Sequence, residues 1–347
     1  MSIKRVTSSD VAKLAGVSRT TVSLVLNDVQ GINIREETRE RVLRAAKDLN
    51  YVPDAAAQAL ASRRSKIIGL IITRDPQLFA TDAYLSQILN SLVTSVRESG
   101  MRLLLDIIEG EHGRESYSQL VHSKHIDGII FSGPRFNDEA LQLLEEENFP
   151  TVLMGQLPGS GFCSVDVDNF LAAKKAVSHL INLGHKKIAC ITNADISYTA
   201  ALDRYKGYRE ALDDAGIPFE SDLLGFGDFD LESGYEQMKI ILDKTPLPSA
   251  VFVASDVVAF GAMAAIREFG FEIPADIAVV GFDNVPLARY IDPYLTTIHL
   301  PATELAKCAF EILEKLIRKE PIEKKQILLD THLIIRDSCG AHYGTHR

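Results

Sequence analysis

Four cysteines stand at positions 163, 190, 308 and 339, and no spacing among them suits a zinc site or a disulfide framework. No apolar run approaches the length that spans a bilayer. The first residues, Met-Ser-Ile-Lys-Arg-Val-Thr, lack the apolar core of a secretion signal, so a cytoplasmic location without a membrane partner is expected. Enzyme signatures are missing as well. There is no Gly-x-x-x-x-Gly-Lys-Ser/Thr phosphate loop, no Gly-x-Ser-x-Gly elbow and no His-Glu-x-x-His. Gly225-Phe226-Gly227 lacks the third glycine and the helix start of a dinucleotide fingerprint, and His342 and His346 suit a solvated tail better than a metal site. These absences count against an enzyme of sugar or nucleotide metabolism, and neither a cofactor nor a metal is expected.

The net charge of −10, taken whole, opposes nucleic-acid binding, but its distribution does not. Residues 1–64 hold 11 Lys and Arg against 7 Asp and Glu, a net of +4, while the remainder holds 26 against 40, a net of −14. A basic end on an acidic body confines DNA attraction to that end. With 347 residues the chain is too long for one compact core, and two or three domains are expected.

The basic end carries the most informative stretch, residues 7–28. Thr7 with Asp10 three residues on is an Asp variant of the capping box. Val11, Leu14 and Ala15 then repeat at helical spacing, which predicts one buried face. Gly16 falls where the chain must reverse, and Ser18 is placed to cap a second helix with Val22, Val25 and Leu26 turned inward. Small Ala12 and Ala15 allow a close crossing. Two short helices about such a turn form a helix-turn-helix, whose second helix presents its N-terminal side chains to base edges in the major groove. Asn33 with Glu36 is a second capping signal, opening a helix over about 35–49 with Val42, Ala45, Ala46 and Leu49 on its apolar face. Arg35, Arg39, Arg41 and Arg44 keep that helix basic, and it closes the small core that two helices cannot complete.

After Tyr51-Val52-Pro53, Asp54 can cap the alanine-rich run 55–61. Its helix propensity is high, but so short a helix is marginal in water by itself. It is therefore expected to be helical only when docked. Leu60, the large apolar residue on this small-residue stretch, suits a wedge entering a minor groove.

From Lys66 the pattern changes to short apolar strands alternating with helices. Strands are predicted at 67–72, 102–108, 126–131 and 151–154, then again at 187–192, 249–254 and 277–282, with a last one near 327–335. Helices are predicted near 170–183, 199–215, 232–244, 256–269 and 302–319. Two such sets mean two lobes, each a doubly wound parallel sheet covered on both faces. Ligands of open parallel sheets bind beyond the carboxyl ends of the strands. There stand Asp283, Ser255 and Asp256, with Arg204 on a helix and Phe229 before one. Asp256 reads as a helix cap more readily than a ligand contact. Phe229, Arg204 and Asp283 together suit a small, polar, ring-shaped molecule, stacked on the aromatic face and held by charge-assisted bonds.

The chain resembles the LacI-type bacterial transcription regulators over nearly its whole length. The resemblance is carried by Asp10-Val11-Ala12 with Ala15-Gly16-Val17-Ser18, Thr21-Val22-Ser23 and Asn27, then Thr38-Arg39, Leu49-Asn50-Tyr51-Val52-Pro53 and Ile68-Gly69. Further on it is carried by Asp127-Gly128-Ile129-Ile130, His179-Leu180 with Leu183-Gly184-His185, and Asp203-Arg204 with Gly207-Tyr208. Val279-Val280-Gly281-Phe282-Asp283 and Leu295-Thr296-Thr297-Ile298 complete it. By this resemblance Arg19 and Thr20 read bases, while Ser18, Thr21, Ser23 and Asn27 position the phosphate backbone. Leu60 matches the hinge leucine inserted at the operator centre. Arg204, Phe229 and Asp283 match effector-contacting positions, Tyr84 a first-lobe aromatic contact, and Ser255 a position where many sugar-responsive members carry Asn. Leu24, Asp54 and Gln58 depart from the usual residues, which bears on base and hinge contacts. No leucine-heptad tail follows the last strand, so a homodimer rather than a tetramer is expected.

The expected architecture is a small all-α helix-turn-helix headpiece (1–52), a hinge helix or linker (53–64), and a two-lobed α/β core like that of periplasmic binding proteins. The lobes are assigned as 65–164 with 295–321 and 165–294 with 322–340. The expected function is a sequence-specific regulator, acting as a repressor, that binds palindromic double-stranded operator DNA as a dimer. A small effector between the lobes controls it, and a sugar or sugar derivative is the first expectation. A purine effector is the alternative, and a solute-binding protein without regulatory role is a weaker one. The sequence names neither the effector nor the operator.

Overall fold

The computed structural model of the chain describes residues 6–26, 33–52, 64–73, 82–107, 125–136 and 138–341. By contacts the chain falls into two compact units, Met1–Lys66 with Lys124–Asp127 and Ile67–Ser123 with Gly128–Arg347. The alanine-rich run 55–61 with Leu60 lies outside the described residues, as does Asn27.

In the first unit, α1 (Ser8–Ala15), α2 (Arg19–Leu26) and α3 (Glu36–Asp48) surround a core of Val11, Ala12, Ala15, Val22, Val25, Val42, Ala45 and Ala46. The Asp10 carboxylate accepts from the Thr7 N–H at 2.9 Å and from its hydroxyl at 2.7 Å, which fixes the start of α1. Gly16 ends the helix at φ +64°, a left-handed conformation that favours glycine, and the Val17 N–H returns to the Ala12 carbonyl at 3.0 Å. Ser18 Oγ accepts from the Thr21 N–H at 3.1 Å and caps α2. Two expectations are corrected. Leu14 is 55% exposed, because Ala12 occupies the buried face beside Val11 and Ala15. Asn33 does not cap α3: the helix starts at Glu36 behind Arg35, whose carbonyl accepts from Thr38 and Arg39. Where the unit ends, the Ser65 N–H and hydroxyl and the Lys66 N–H all donate to the Asp127 carboxylate, at 2.7, 2.9 and 2.8 Å.

The second unit holds two six-stranded sheets. The first contains β1 (Ile67–Ile72), β2 (Arg102–Ile107), β3 (Gly128–Ser132), β4 (Thr151–Met154), β5 (Cys163–Val167) and β11 (Gln326–Leu329), in the order β11-β5-β4-β3-β1-β2. Every pairing in it is parallel. The second contains β6 (Ile188–Thr192), β7 (Leu224–Phe226), β8 (Ala250–Val253), β9 (Ala278–Asp283), β10 (Thr296–His299) and β12 (His332–Ile334), in the order β12-β10-β9-β8-β6-β7. Here only β12 runs antiparallel, on β10. Runs such as Ile67–Ile72 and Ala250–Val253 are nearly all buried, as parallel strands covered on both faces must be.

Among the described residues the α-helices of this unit are α4 (Ala83–Glu98), α5 (Glu139–Glu146), α6 (Asn169–Asn182), α7 (Thr199–Asp214), α8 (Leu231–Leu242), α9 (Asp256–Glu268) and α10 (Ala302–Arg318). α10 packs on α4 and the first sheet. The expected lobe boundaries are corrected at each crossing. β5 carries the first sheet through Val167 rather than 164, β10 joins the second sheet rather than the first lobe expected of 295–321, and β11 joins the first rather than the second lobe expected of 322–340. The single strand expected near 327–335 is two strands parted at Asp330 and Thr331, each completing a different sheet. These edge strands satisfy backbone groups that an edge leaves open, a requirement that local hydrophobicity does not signal.

Candidate functional site

A cavity at the carboxyl ends of the strands opens between the two sheets and encloses about 750 Å³ of empty space, its mouth included. The second lobe supplies Arg204, Phe229, Ser255 and Asp283, and the first supplies Tyr84, so five residues singled out in the sequence line one wall or another of it.

Arg204 is 6% exposed. Its helix α7 lies very close to α6 because Gly207, one turn on, has no side chain: a Cβ there would stand 2.2 Å from the Phe170 carbonyl oxygen. The guanidinium is held by several groups. Nε donates to Asn169 Oδ1 at 2.8 Å and a terminal nitrogen donates to the Ala254 carbonyl at 2.6 Å. Its central carbon sits 3.8 Å from the centre of the Phe282 ring, and a terminal nitrogen 3.7 Å from Asp283 Oδ1. Ser255 Oγ donates to the other Asp283 oxygen at 3.1 Å. Asn169 turns its amide nitrogen to both oxygens of Asp166, at 3.1 and 3.0 Å, so Asp166 joins the network from β5.

Burial raises the Asp283 carboxyl well above its ordinary range; Arg204 opposes the rise and Asp82 adds to it. Burial likewise raises Asp166 to about 6, against the Val167 N–H bond and the charge of Arg204. Asp256 does not line the cavity and does not cap α9, the cap being Ser255. It is the first residue of that helix and binds the Thr297 hydroxyl at 2.6 Å and the Val285 N–H at 2.8 Å. It therefore ties the turn after Asp283 to the helix, and burial raises its pKa, with the neighbouring Asp283 adding to the rise.

Phe229 lies at φ +60° and Asp283 at φ +115°, conformations that side-chain-bearing residues rarely adopt. Such strain collects at functional sites. The Phe229 N–H donates to the Asn193 carbonyl at 2.8 Å, and its ring meets Tyr198 edge-on with centroids 5.1 Å apart. Tyr198 in turn reaches the first lobe. Its hydroxyl donates to the Thr73 carbonyl, and Arg135 donates to that hydroxyl and, at 3.1 Å, to the same carbonyl. The Phe136 N–H meets the Ser197 carbonyl at 2.9 Å, and the Thr199 N–H meets the Pro134 carbonyl at 3.2 Å.

Asn193, Tyr198, Asp166 and Asp82 also line the cavity, and the sequence reading missed them. Asn193 follows β6 directly, so the strand-end rule had reached its neighbourhood. Asp166 sits in a strand whose polar alternation hid it. Asp82 is the cap of α4, accepting from the Leu85 N–H at 2.9 Å.

Of the DNA-reading candidates, Ser18, Arg19, Thr20 and Ser23 are exposed and Thr21 half-buried, around the N-terminal turns of α2. The Ser18 and Thr21 hydroxyls stand 2.9 Å apart. Among the described residues no helix is long and apolar enough to cross a membrane.

Comparison with known proteins agrees with this construction. Residues 7–54 match the model of bacterial regulatory proteins of the lacI family, and residues 177–339 match that of the periplasmic binding protein-like domain. The HTH-type transcriptional regulator CelR of Thermobifida fusca is 32% identical over 96% of this chain and 98% of its own. The HTH-type transcriptional repressor PurR of Histophilus somni (strain 129Pt) is 35% identical over the same shares. Among solved structures, a transcriptional regulator CelR–cellobiose complex has a TM-score of 0.74 at 32% identity, covering 96% of this chain and 100% of that one. The lac repressor dimer bound to operator and the anti-inducer ONPF has a TM-score of 0.84 at 29% identity, covering 97% and 99%. These relatives are transcription regulators, not enzymes. A helix-turn-helix unit ahead of a two-sheet core with a cleft at its strand ends, matched end to end by such relatives, places the chain in the LacI family of DNA-binding transcription regulators.

Proposed function

We propose that the chain is a repressor that binds a palindromic operator as a homodimer and changes its DNA affinity when a sugar or sugar derivative fills the cleft. The observation that carries the effector half is the buried Arg204–Asp283 pair with Ser255, set under the Phe229–Tyr198 aromatic wall. Carboxylates and a guanidinium around one cavity suit ring hydroxyls, which donate to the first and accept from the second, while an aromatic face covers the ring. The CelR–cellobiose complex supports this reading. Similarity to PurR relatives keeps a purine as the second reading, to which the aromatic wall would also offer a stacking face.

For the DNA half, Arg19 and Thr20 read base edges, and Ser18, Thr21, Ser23 and Asn27 hold the phosphates. Leu60 enters the minor groove at the operator centre. A second copy of the chain would cover the exposed apolar residues after β9, where Leu287 is 50%, Tyr290 71% and Tyr294 51% exposed. The effector acts only through its different affinity for the two states of the core, which alters how well the paired hinges order on DNA.

Thermal unfolding of the full chain against neutral mono- and disaccharides, sugar phosphates and purines tests the effector. A true effector at about 100 times its Kd stabilises by roughly 2.7 kcal/mol. A shift with a neutral sugar supports the proposal. A shift with purines alone replaces the sugar by the second reading, and no shift with any compound overturns the effector half.

A further inference from the structure

Asn193 is 5% exposed and lines the cavity, yet its Oδ1 is buried without a hydrogen-bond partner. No other cavity-lining side chain shows an unpaired buried polar atom among the described residues. A buried amide oxygen left unpaired is destabilising and rare, so its persistence calls for an explanation. Its position is also fixed. Asn193 follows β6, whose last residue, Thr192, bonds the Ala194 carbonyl at 2.7 Å, and its own carbonyl holds the Phe229 N–H at 2.8 Å. The backbone thus sets the amide in the cavity wall with its acceptor unused and turned out of the open space, so a half-turn about the Cβ–Cγ bond brings Oδ1 to a bound hydroxyl.

The charges around it restrict what can use that acceptor. Asp82, Asp166 and Asp283 line the cavity, and Arg204 is the one cationic side chain among its described lining residues. Arg204 already serves Asn169, Ala254 and Asp283. A phosphate brought here would meet three carboxyl groups and a single guanidinium whose charge Asp283 already offsets, in a site where water screens little. A neutral hydroxyl meets no such penalty and supplies the proton that Asn193 Oδ1 lacks.

We propose that Asn193 is a specificity-determining contact of the effector site, accepting a hydrogen bond from a ring hydroxyl of a neutral sugar, and that the site excludes phosphorylated sugars. This rests on the sugar reading given above and deepens it. Removing an amide whose oxygen has no partner within the protein leaves no protein group unpaired, so Asn193→Ala keeps or raises the melting temperature measured without sugar. A side chain kept for folding would lower it. In the bound state the same change strands a ligand hydroxyl and weakens binding about tenfold or more.

The test is isothermal titration of the full-length protein and of its N193A and N193D variants with cellobiose, glucose and glucose 6-phosphate, beside thermal unfolding without ligand. The N193D variant keeps an acceptor in nearly the same shape. Three results together support the proposal: binding of a neutral sugar without binding of the phosphate, at least a tenfold loss in N193A with an undiminished melting temperature, and a smaller loss in N193D. Equal neutral-sugar affinity in wild type and N193A overturns the role of Asn193 and leaves the sugar reading standing. Tighter binding of glucose 6-phosphate than of glucose overturns the exclusion of phosphate. If none of the three sugars binds, the inference falls, and the thermal screen with its wider panel decides whether the sugar reading falls too.

Discussion

The two lobes share a strand order, with β2-β1-β3-β4-β5 in one answering β7-β6-β8-β9-β10 in the other, yet they furnish the cleft differently. In the second lobe Arg204, Asn169, Ser255 and Asp283 are buried and bonded to one another. In the first lobe Asp82 is engaged in capping α4, Tyr84 is half-buried, and Asp166 is hydrogen-bonded to the network through Asn169 of the other lobe. The same topology thus makes a floor of mutually bonded groups in the second lobe, with Asp82 and Tyr84 lining the cleft from the first. A floor whose groups are already oriented loses little freedom when it binds, so most of the affinity is assigned to the second lobe. The first lobe is assigned the closing contacts, and the Arg135–Tyr198–Thr73 cluster marks where the two meet.

The largest effect that could break this comparison is Arg204→Ala. It leaves Asp283 buried without its cation, and removing one member of a buried pair costs about 3–5 kcal/mol of stability. Sugar affinity is expected to fall by roughly a thousandfold, about 4 kcal/mol. Chemical denaturation and titration calorimetry measure both. Affinity within tenfold of wild type would show that the floor is not where binding resides.

Tyr84→Ala is the counterpart in the first lobe. It is expected to weaken the sugar by about tenfold, with unliganded stability changed by less than about 1 kcal/mol because the residue is only half-buried. A loss equal to that of the Arg204 variant would make the two lobes energetically alike.

The smallest expected effect is a pH dependence. Burial raises Asp166 to about 6, and the charged form is the better acceptor for a ligand hydroxyl. Ligand therefore favours the deprotonated form, and affinity is expected to fall as pH drops from 7.5 through about 6 toward 5. Stability carries the opposite sign. With a folded-state pKa above the unfolded value, the native state holds the extra proton, so this residue's contribution declines as pH rises through the window between them. Calorimetry across that range, repeated with Asp166→Asn, should show the decline flattened in the variant.

The lobes also differ in how much of them the sequence disclosed. The headpiece and the long buried strands follow from local signals: the capping of Thr7 and Ser18, the turn at Gly16, and runs such as Ile67–Ile72. Arg204, Phe229, Ser255 and Asp283 were legible because each belongs to a strand-end or motif position of the second lobe. Asp82 was hidden because capping a helix and lining a cleft look alike in one dimension. Asp166 was hidden because β5 is short and half polar, and it pairs with β11 some 160 residues later, a partnership no local window contains. The crossings to β10, β11 and β12 were misplaced for the same reason: β10 is placed by its pairing with β9, and the edge strands β11 and β12 by the open hydrogen bonds of a sheet already built.

The central claim is that a sugar held by the second-lobe floor sets DNA affinity. The most direct measurement is the Kd of the full-length protein for a palindromic site, recovered by in vitro selection, with and without the neutral sugar found by thermal shift. Both wild type and Arg204→Ala should be titrated at fixed salt, because the phosphate contacts make any DNA affinity salt-dependent. The account predicts that saturating sugar changes the wild-type Kd by at least about tenfold, a coupling of roughly 1.4 kcal/mol, and leaves the variant unchanged. A sugar that binds the wild-type cleft without altering its operator affinity would contradict it.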